Sequence, residues 1–187
     1  MEAILNSFLI VGIAEIGDKT QLLALLLTLR FRRKPWQIIS AILIATLLNH
    51  FIAAYLGQFI FSFIDPKIQR WLLVVLFVAF GLWALVPDDE DNIKANHPYG
   101  AFVTSLVCFF LAEMGDKTQL ATLALGAQFK DSLAVTFGTT LGMLFANIPV
   151  VLWGNAVLRI IPLNKIRILA CILFFAFAIS IAVFGKF

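Results

Sequence analysis

Charge is scarce in this chain: Asp, Glu, Lys and Arg together make up 13% of its 187 residues, against 61% hydrophobic. An ordinary soluble domain carries about a quarter of its residues charged, so this composition excludes one and points to an integral membrane protein. Cysteine is nearly missing. The two present, Cys108 and Cys171, lie in apolar runs, which leaves no disulfide framework or metal-binding Cys pair and suits small core residues. No Lys or Arg precedes the first apolar stretch, so a cleaved signal peptide is not expected and the first helix should remain. The formal net charge of +3 does not point to nucleic acid, because the basic residues fall in short gaps between apolar runs, where they report topology.

What is present in abundance is apolar sequence in lengths that cross a bilayer, for which ~20 residues are needed. Six segments qualify, at 4–29, 36–61, 71–87, 99–126, 133–158 and 166–185. The predicted fold is an all-α membrane protein of six transmembrane helices. The breaks are a basic turn at Arg30 to Pro35, a turn at Asp65-Pro66, polar gaps at Lys130-Asp131 and Pro162 to Asn164, and a longer connection from Pro87 to Pro98. One side of the membrane would hold Arg30, Arg32, Arg33, Lys34, Lys94, Arg159, Lys165 and Arg167, the other Lys67, Arg70, Lys130 and Lys186. Positive loops favour the cytoplasm, which places both termini outside and the acidic run Asp88, Asp89, Glu90 and Asp91 inside. That run reads as a solvated loop. Trp36 and Trp71 sit at predicted helix ends, as aromatic anchors do.

Against this background one pattern stands out. Glu-x-Gly-Asp-Lys-Thr-Gln-Leu occurs twice, at Glu15 to Leu22 and Glu113 to Leu120, each time inside a long apolar run. Charges at a helix centre cost about 2.5 to 3.5 kcal/mol each on insertion scales, so Glu15, Asp18, Lys19, Glu113, Asp116 and Lys117 imply a gross penalty of roughly 15 to 20 kcal/mol. Pairing, a water-filled cavity or a bound ion must offset it, and each places these residues inside a bundle. The duplication continues at a constant offset of 98 residues: Ala14 matches Ala112, Phe31 matches Phe129, Leu43 matches Leu141 and Asn49 matches Asn147. The chain therefore divides into a three-helix repeat at 1–87, an acidic cytoplasmic loop at 88–98 and a second repeat at 99–187. Three being odd, the second repeat enters the membrane from the opposite face, giving the inverted repeats that build secondary transporters around a midplane site.

On a continuous helix Glu15 and Asp18 would be neighbours on one face, as would Glu113 and Asp116. Two such helices meeting would gather four carboxylates around one point, an oxygen-rich cage suited to Mg²⁺, Ca²⁺ or Mn²⁺ rather than to Zn²⁺ or Cu⁺. Neither motif contains His or Cys. Gly17 and Gly115 would either open the helix at the acids or let two helices approach closely. Each motif sums to −1 when ionised, so the pair carries −2, which one divalent cation neutralises; without it, the repelling carboxylates tend to take up protons. A static alternative is an i, i+4 ion pair between Glu15 and Lys19 and between Glu113 and Lys117, which would leave Asp18 and Asp116 in excess. Thr20, Gln21, Thr118 and Gln119, with Asn49 and Asn147 on the second helices, are candidate auxiliary ligands or interhelical hydrogen-bonding groups. His50 has Ile148 in the matching position and is not counted among them.

At Glu15-Ile16-Gly17-Asp18-Lys19-Thr20 and Glu113-Met114-Gly115-Asp116-Lys117-Thr118 the chain resembles the cation/proton exchanger family that includes bacterial MneA-type manganese exporters and Golgi manganese/calcium transporters. The resemblance covers both halves. It implies a transporter without a cofactor, with Glu15, Asp18, Glu113 and Asp116 binding the metal, and partners limited to a divalent ion, protons and membrane lipid. The small size is similar to the bacterial branch, which implies Mn²⁺ export across the inner (plasma) membrane in exchange for protons. A Ca²⁺/proton exchanger is the alternative, because both ions accept carboxylates. Gly17-Asp18 and Gly115-Asp116 also resemble part of the Gly-x-Gly-Asp motif of intramembrane aspartyl proteases. Here Glu15 and Glu113 stand in place of the first glycine and a Lys follows each Asp, so the chain is not expected to be an enzyme.

Overall fold

Long apolar runs free of Pro and Gly clusters fold as helices because a bilayer leaves backbone groups no other partner. The computed structural model describes residues 1–86, 99–154, 156 and 162–184. Among them are eight helices and no strand: α1 (Glu2–Ala14), α2 (Lys19–Arg30), α3 (Pro35–Phe61), α4 (Pro66–Ala84), α5 (Ala101–Glu113), α6 (Lys117–Phe129), α7 (Ser132–Trp153) and α8 (Leu163–Phe184). The acidic run Asp88 to Asp91, together with Lys94, Arg159 and Lys186 of the topology count, lies outside the described residues.

Helices α3, α4, α7 and α8 are each long and apolar enough to cross a membrane. Their starts are marked locally: Pro35 and Pro66 occupy first-turn positions, and Asp65 and Asp131 accept from the backbone N–H groups of Lys67 and Ala134. The segments expected as single spans at 4–29 and 99–126 are instead each divided in two, with the interruption at the octapeptide. Of the two roles open to the glycines, opening of the helix is the one seen, and it has a backbone cause. Gly17 (φ +83°) and Gly115 (φ +74°) are left-handed, and Asp18 and Asp116 are extended, with ψ 167° and 161°. No helix passes through such a pair of residues.

Packing interleaves the two halves of the sequence. α1 lies against α7 and α5 against α3; α2 also meets α7 and α6 meets α3; α3 crosses α7, and α4 pairs with α8. Exchanging α1–α4 for α5–α8 returns each of these pairings, whereas the contacts of α1 with α8 and of α4 with α6 have no counterpart of that extent among the described residues. One apolar cluster joins Val11 of α1, Phe77 of α4, Leu125 of α6 and Phe174 of α8. The other joins Leu27 of α2, Ile42 of α3, Phe109 of α5 and Met143 of α7. Cys108 and Cys171 are buried and not joined in a disulfide, as small core residues. Two contacts are close enough that only glycine fits: a Cβ on Gly142 would stand 2.7 Å from the backbone nitrogen of Gly12, and one on Gly126 would stand 2.2 Å from the carbonyl oxygen of Ala54. Outward, α3 and the turn after it present an aromatic row, Phe51, Tyr55, Phe59 and Phe63, each more than 40% exposed. Such a surface suits hydrocarbon, and the chain is a multi-pass membrane protein.

Candidate functional site

The two interruptions are built alike. In each, a glutamine one turn into the following helix folds back over the glycine: the backbone N–H of Gly17 donates to Gln21 Oε1 at 2.8 Å, and that of Gly115 to Gln119 Oε1 at 2.7 Å. The amide of the aspartate bonds the carbonyl of the glutamate three residues earlier, Asp18 to Glu15 and Asp116 to Glu113, both at 3.1 Å. The glutamates therefore lie at the carboxyl ends of α1 and α5, and the aspartates occupy the N-cap positions of α2 and α6 without a side-chain hydrogen bond to the helix. A negative group is favoured at a helix amino end, where backbone N–H groups are unsatisfied.

All four acids are buried: Glu15 and Glu113 at 0% exposure, Asp18 at 1% and Asp116 at 4%. The aspartates find their electrostatic partners in the opposite motif. Lys117 Nζ is 2.6 Å from Asp18 Oδ1, and Lys19 Nζ is 3.0 Å from Asp116 Oδ1. This differs from the i, i+4 pairing that the spacing suggested, because the broken backbone removes the helical turn between Glu15 and Lys19. The crossed pairs tie α1–α2 to α5–α6 and account for the aspartates that a within-motif scheme left over. A recess of about 10 Å³, barely room for one water, lies against Asp18 and Lys117 and is walled by Gly17, Ala84, Ile166 and Ala170.

The auxiliary candidates divide. Gln21 Nε2 donates to the carbonyl of Ala146 on α7 at 2.7 Å. Gln119 Nε2 reaches Asn49 Oδ1 on α3 at 3.4 Å, and Asn49 Nδ2 donates to the Phe110 carbonyl at 3.0 Å. Asn147 instead turns back on its own helix, to the Met143 carbonyl at 3.1 Å. Thr118 Oγ1 is 3.4 Å from Asp116 Oδ2, while Thr20 Oγ1 is buried without a hydrogen-bond partner among the described residues. His50 was passed over in the sequence and belongs here: its Nε2 is 3.4 Å from Glu113 Oε2, with both side chains fully buried. The available signal was a polar ring next to the repeat-matched Asn49 inside an apolar helix; the missing counterpart at Ile148 hid it. Among the described residues no group of three or more His, Cys, Asp and Glu is placed to hold one metal ion. The motifs meet through lysine and aspartate rather than through a ready-made carboxylate cage.

Comparison with known proteins decides the class. The family model described as "Divalent cation/proton antiporter GDT1" matches residues 3–92 and 101–186. The chain belongs to the GDT1 family. It is 49% identical over 185 residues to a Vibrio cholerae protein named "Putative manganese exporter", covering 98% of this chain and 92% of that one. It is 29% identical over 203 residues to a GDT1-like protein of Synechocystis, covering 96% of each. A GDT1-like protein of Oryza sativa subsp. indica is 26% identical over 206 residues, covering 96% of this chain and 72% of its own length. No solved structure matches. As a GDT1 protein the chain is a divalent-cation transporter and not an enzyme.

Proposed function

We propose that this GDT1 protein exports Mn²⁺ across a bacterial inner membrane in exchange for protons, with Glu15, Asp18, Glu113 and Asp116 as the metal's principal ligands. The reading takes the chain as six spans in two inverted repeats, the first and fourth broken at the motifs, with both termini outside. The observation that carries it is the crossed pairing, in which Lys117 holds Asp18 and Lys19 holds Asp116 inside the bundle. A lysine ammonium at a carboxylate stands where a cation would be drawn, and it moves on a flexible stem. An entering divalent ion displaces the ammonium groups and draws the carboxylates of both motifs together; as it leaves, the lysines return. Four acids and two lysines sum to −2, so either one divalent ion or two protons restore neutrality. Exchange of two protons per metal follows from that arithmetic. The similarity to the Vibrio cholerae protein favours Mn²⁺ as the cargo.

The test is flux into liposomes holding the purified protein, with Mn²⁺, Ca²⁺ and Mg²⁺ compared in one preparation and a pH-sensitive dye trapped inside. Mn²⁺ should move with protons running opposite. Asp18→Asn and Asp116→Asn should each lower flux by more than the 10- to 100-fold typical of losing a group that merely orients a ligand, while the folded protein remains monodisperse. Undiminished flux in both variants sinks the ligand assignment, and sustained metal flux without a pH change sinks the exchange.

A further inference from the structure

The second motif has a neighbour that the first lacks. His50, on α3, is 0% exposed, and its Nε2 faces Glu113 Oε2 at 3.4 Å. Nε2 meets Glu113 only through this long contact, and Nδ1 has no hydrogen-bond partner among the described residues. Leaving a buried polar group unsatisfied costs about 1 to 3 kcal/mol, and the other half fills the matching position with Ile148, which carries no such cost. A neutral imidazole always presents one unprotonated nitrogen as an electron-pair donor. Two donors at right angles on one ion, each about 2.1 to 2.4 Å from it, lie about 3.0 to 3.4 Å apart. The observed separation fits two ligands of a common cation as well as it fits a long hydrogen bond.

We propose that His50 is a nitrogen ligand of the transported cation, shared with Glu113, and that it sets the preference of the site for transition-metal ions over Ca²⁺ and Mg²⁺. This rests on the transport reading above and sharpens its selectivity. Ca²⁺ and Mg²⁺ take oxygen ligands, whereas imidazole binds first-row transition metals well. Carboxylates alone do not separate Mn²⁺ from Ca²⁺; Mn²⁺ is the weakest nitrogen binder of the first-row series, yet it accepts an imidazole more readily than Ca²⁺ or Mg²⁺, so one imidazole among the carboxylates tilts the site toward it. The pair supplies two ligands. Since no third His, Cys, Asp or Glu joins them among the described residues, the remaining positions fall to neutral oxygens, water or a carboxylate drawn in as the lysines leave. Asn49 stands beside His50 on α3 and is held to the second motif through Phe110 and Gln119, so α3 is fixed in register with α5.

The chain has two histidines, His50 and His97, which makes a direct readout practical. Protein grown with ¹⁵N-histidine is loaded with Mn²⁺ and examined by pulsed electron paramagnetic resonance. The expected result is a ¹⁵N coupling on the bound Mn²⁺ that persists in His97→Gln and disappears in His50→Gln. In liposomes His50→Gln should lower the Mn²⁺ to Ca²⁺ flux ratio by about 10-fold or more. Bound Mn²⁺ without ¹⁵N coupling in the wild type or in His97→Gln overturns the ligand assignment while leaving manganese transport standing. This readout does not depend on His50→Gln folding. Equal loss of Mn²⁺ and Ca²⁺ flux in His50→Gln overturns the selectivity role. Failure of the wild type to bind or move Mn²⁺ overturns the transport reading and this one together.

Discussion

The first motif sets its glutamine against a backbone carbonyl of α7, Gln21 to Ala146 at 2.7 Å, whereas the second meets side chains of α3, Gln119 with Asn49 and Glu113 with His50, both at 3.4 Å. Backbone geometry is common to the two: a left-handed glycine, an extended aspartate and a glutamine closing the turn. The surroundings are not. The Lys117–Asp18 pair is shorter and more enclosed than the Lys19–Asp116 pair, with lysine side chains 10% and 29% exposed. A duplicated octapeptide thus fixes the local fold of each half-site, and the helix packed across from it decides how open the half-site is and which donors it offers. One half-site is held by backbone and lysine, the other also by Asn49 and His50.

The largest effect expected from this difference is on the crossed pairs. Removing one partner of a buried ion pair costs about 3 to 5 kcal/mol because a charge is left behind, and less where water reaches it. Lys117→Met should therefore destabilise the protein by an amount in that range, and Lys19→Met by about 1 to 2 kcal/mol, measured as thermal unfolding in detergent. Adding Asp18→Asn to Lys117→Met should recover part of the loss, since no unpaired charge then remains. Equal losses in the two single variants would mean that the half-sites are energetically equivalent and that their difference in enclosure has no consequence.

The glycines give a smaller and cleaner contrast. A left-handed conformation costs a residue with a Cβ roughly 1 to 2 kcal/mol, and this applies at both positions. At Gly115 nothing lies within 4 Å of the added carbon, but at Gly17 it would stand 2.6 Å from Leu163 Cδ2. Gly17→Ala should exceed Gly115→Ala by about 0.5 to 1.5 kcal/mol, the cost of moving Leu163 off its rotamer. Gly115→Asn should lose less than Gly115→Ala, because asparagine tolerates the left-handed region. If Gly115→Ala is neutral, the second interruption is not held in this geometry.

Much of this was legible in advance. Length and hydropathy located the apolar segments, and the 98-residue offset paired Asn49 with Asn147 and each motif residue with its counterpart. Three features were not. The break at Gly17 and Gly115 stood as one of two roles for these glycines and stayed undecided, because glycine only weakens a helix and its left-handed φ is set by the fold around it. Crossed pairing of Lys19 and Lys117 escaped because sequence spacing proposes partners within one helix, and these partners lie on different helices. His50 escaped because the repeat that revealed the site also taught which positions to compare, and an unmatched residue drops out of such a comparison. Asn147 shows the converse: it is matched by the repeat, yet bonds within its own helix.

The smallest effect separates a ligand from a structural group. Thr20 and Thr118 follow the two lysines, and both are buried, at 0% and 1% exposure. Thr118 Oγ1 has Asp116 Oδ2 at 3.4 Å, but Thr20 Oγ1 has no hydrogen-bond partner among the described residues. Replacing an unpartnered buried hydroxyl by a methyl group removes a desolvation cost and no bond, so Thr20→Val should change stability by about 0.5 kcal/mol or less, in the stabilising direction. Thr118→Val gives up one long contact and should be destabilising by a similar amount. Transport should not follow the same order. If the Thr20 hydroxyl is used only when the cation is present, Mn²⁺ flux falls several-fold in Thr20→Val while the unfolding temperature holds or rises. A flux that stays at the wild-type level would remove Thr20 from the site and leave the first half-site with its carboxylates and Gln21 alone.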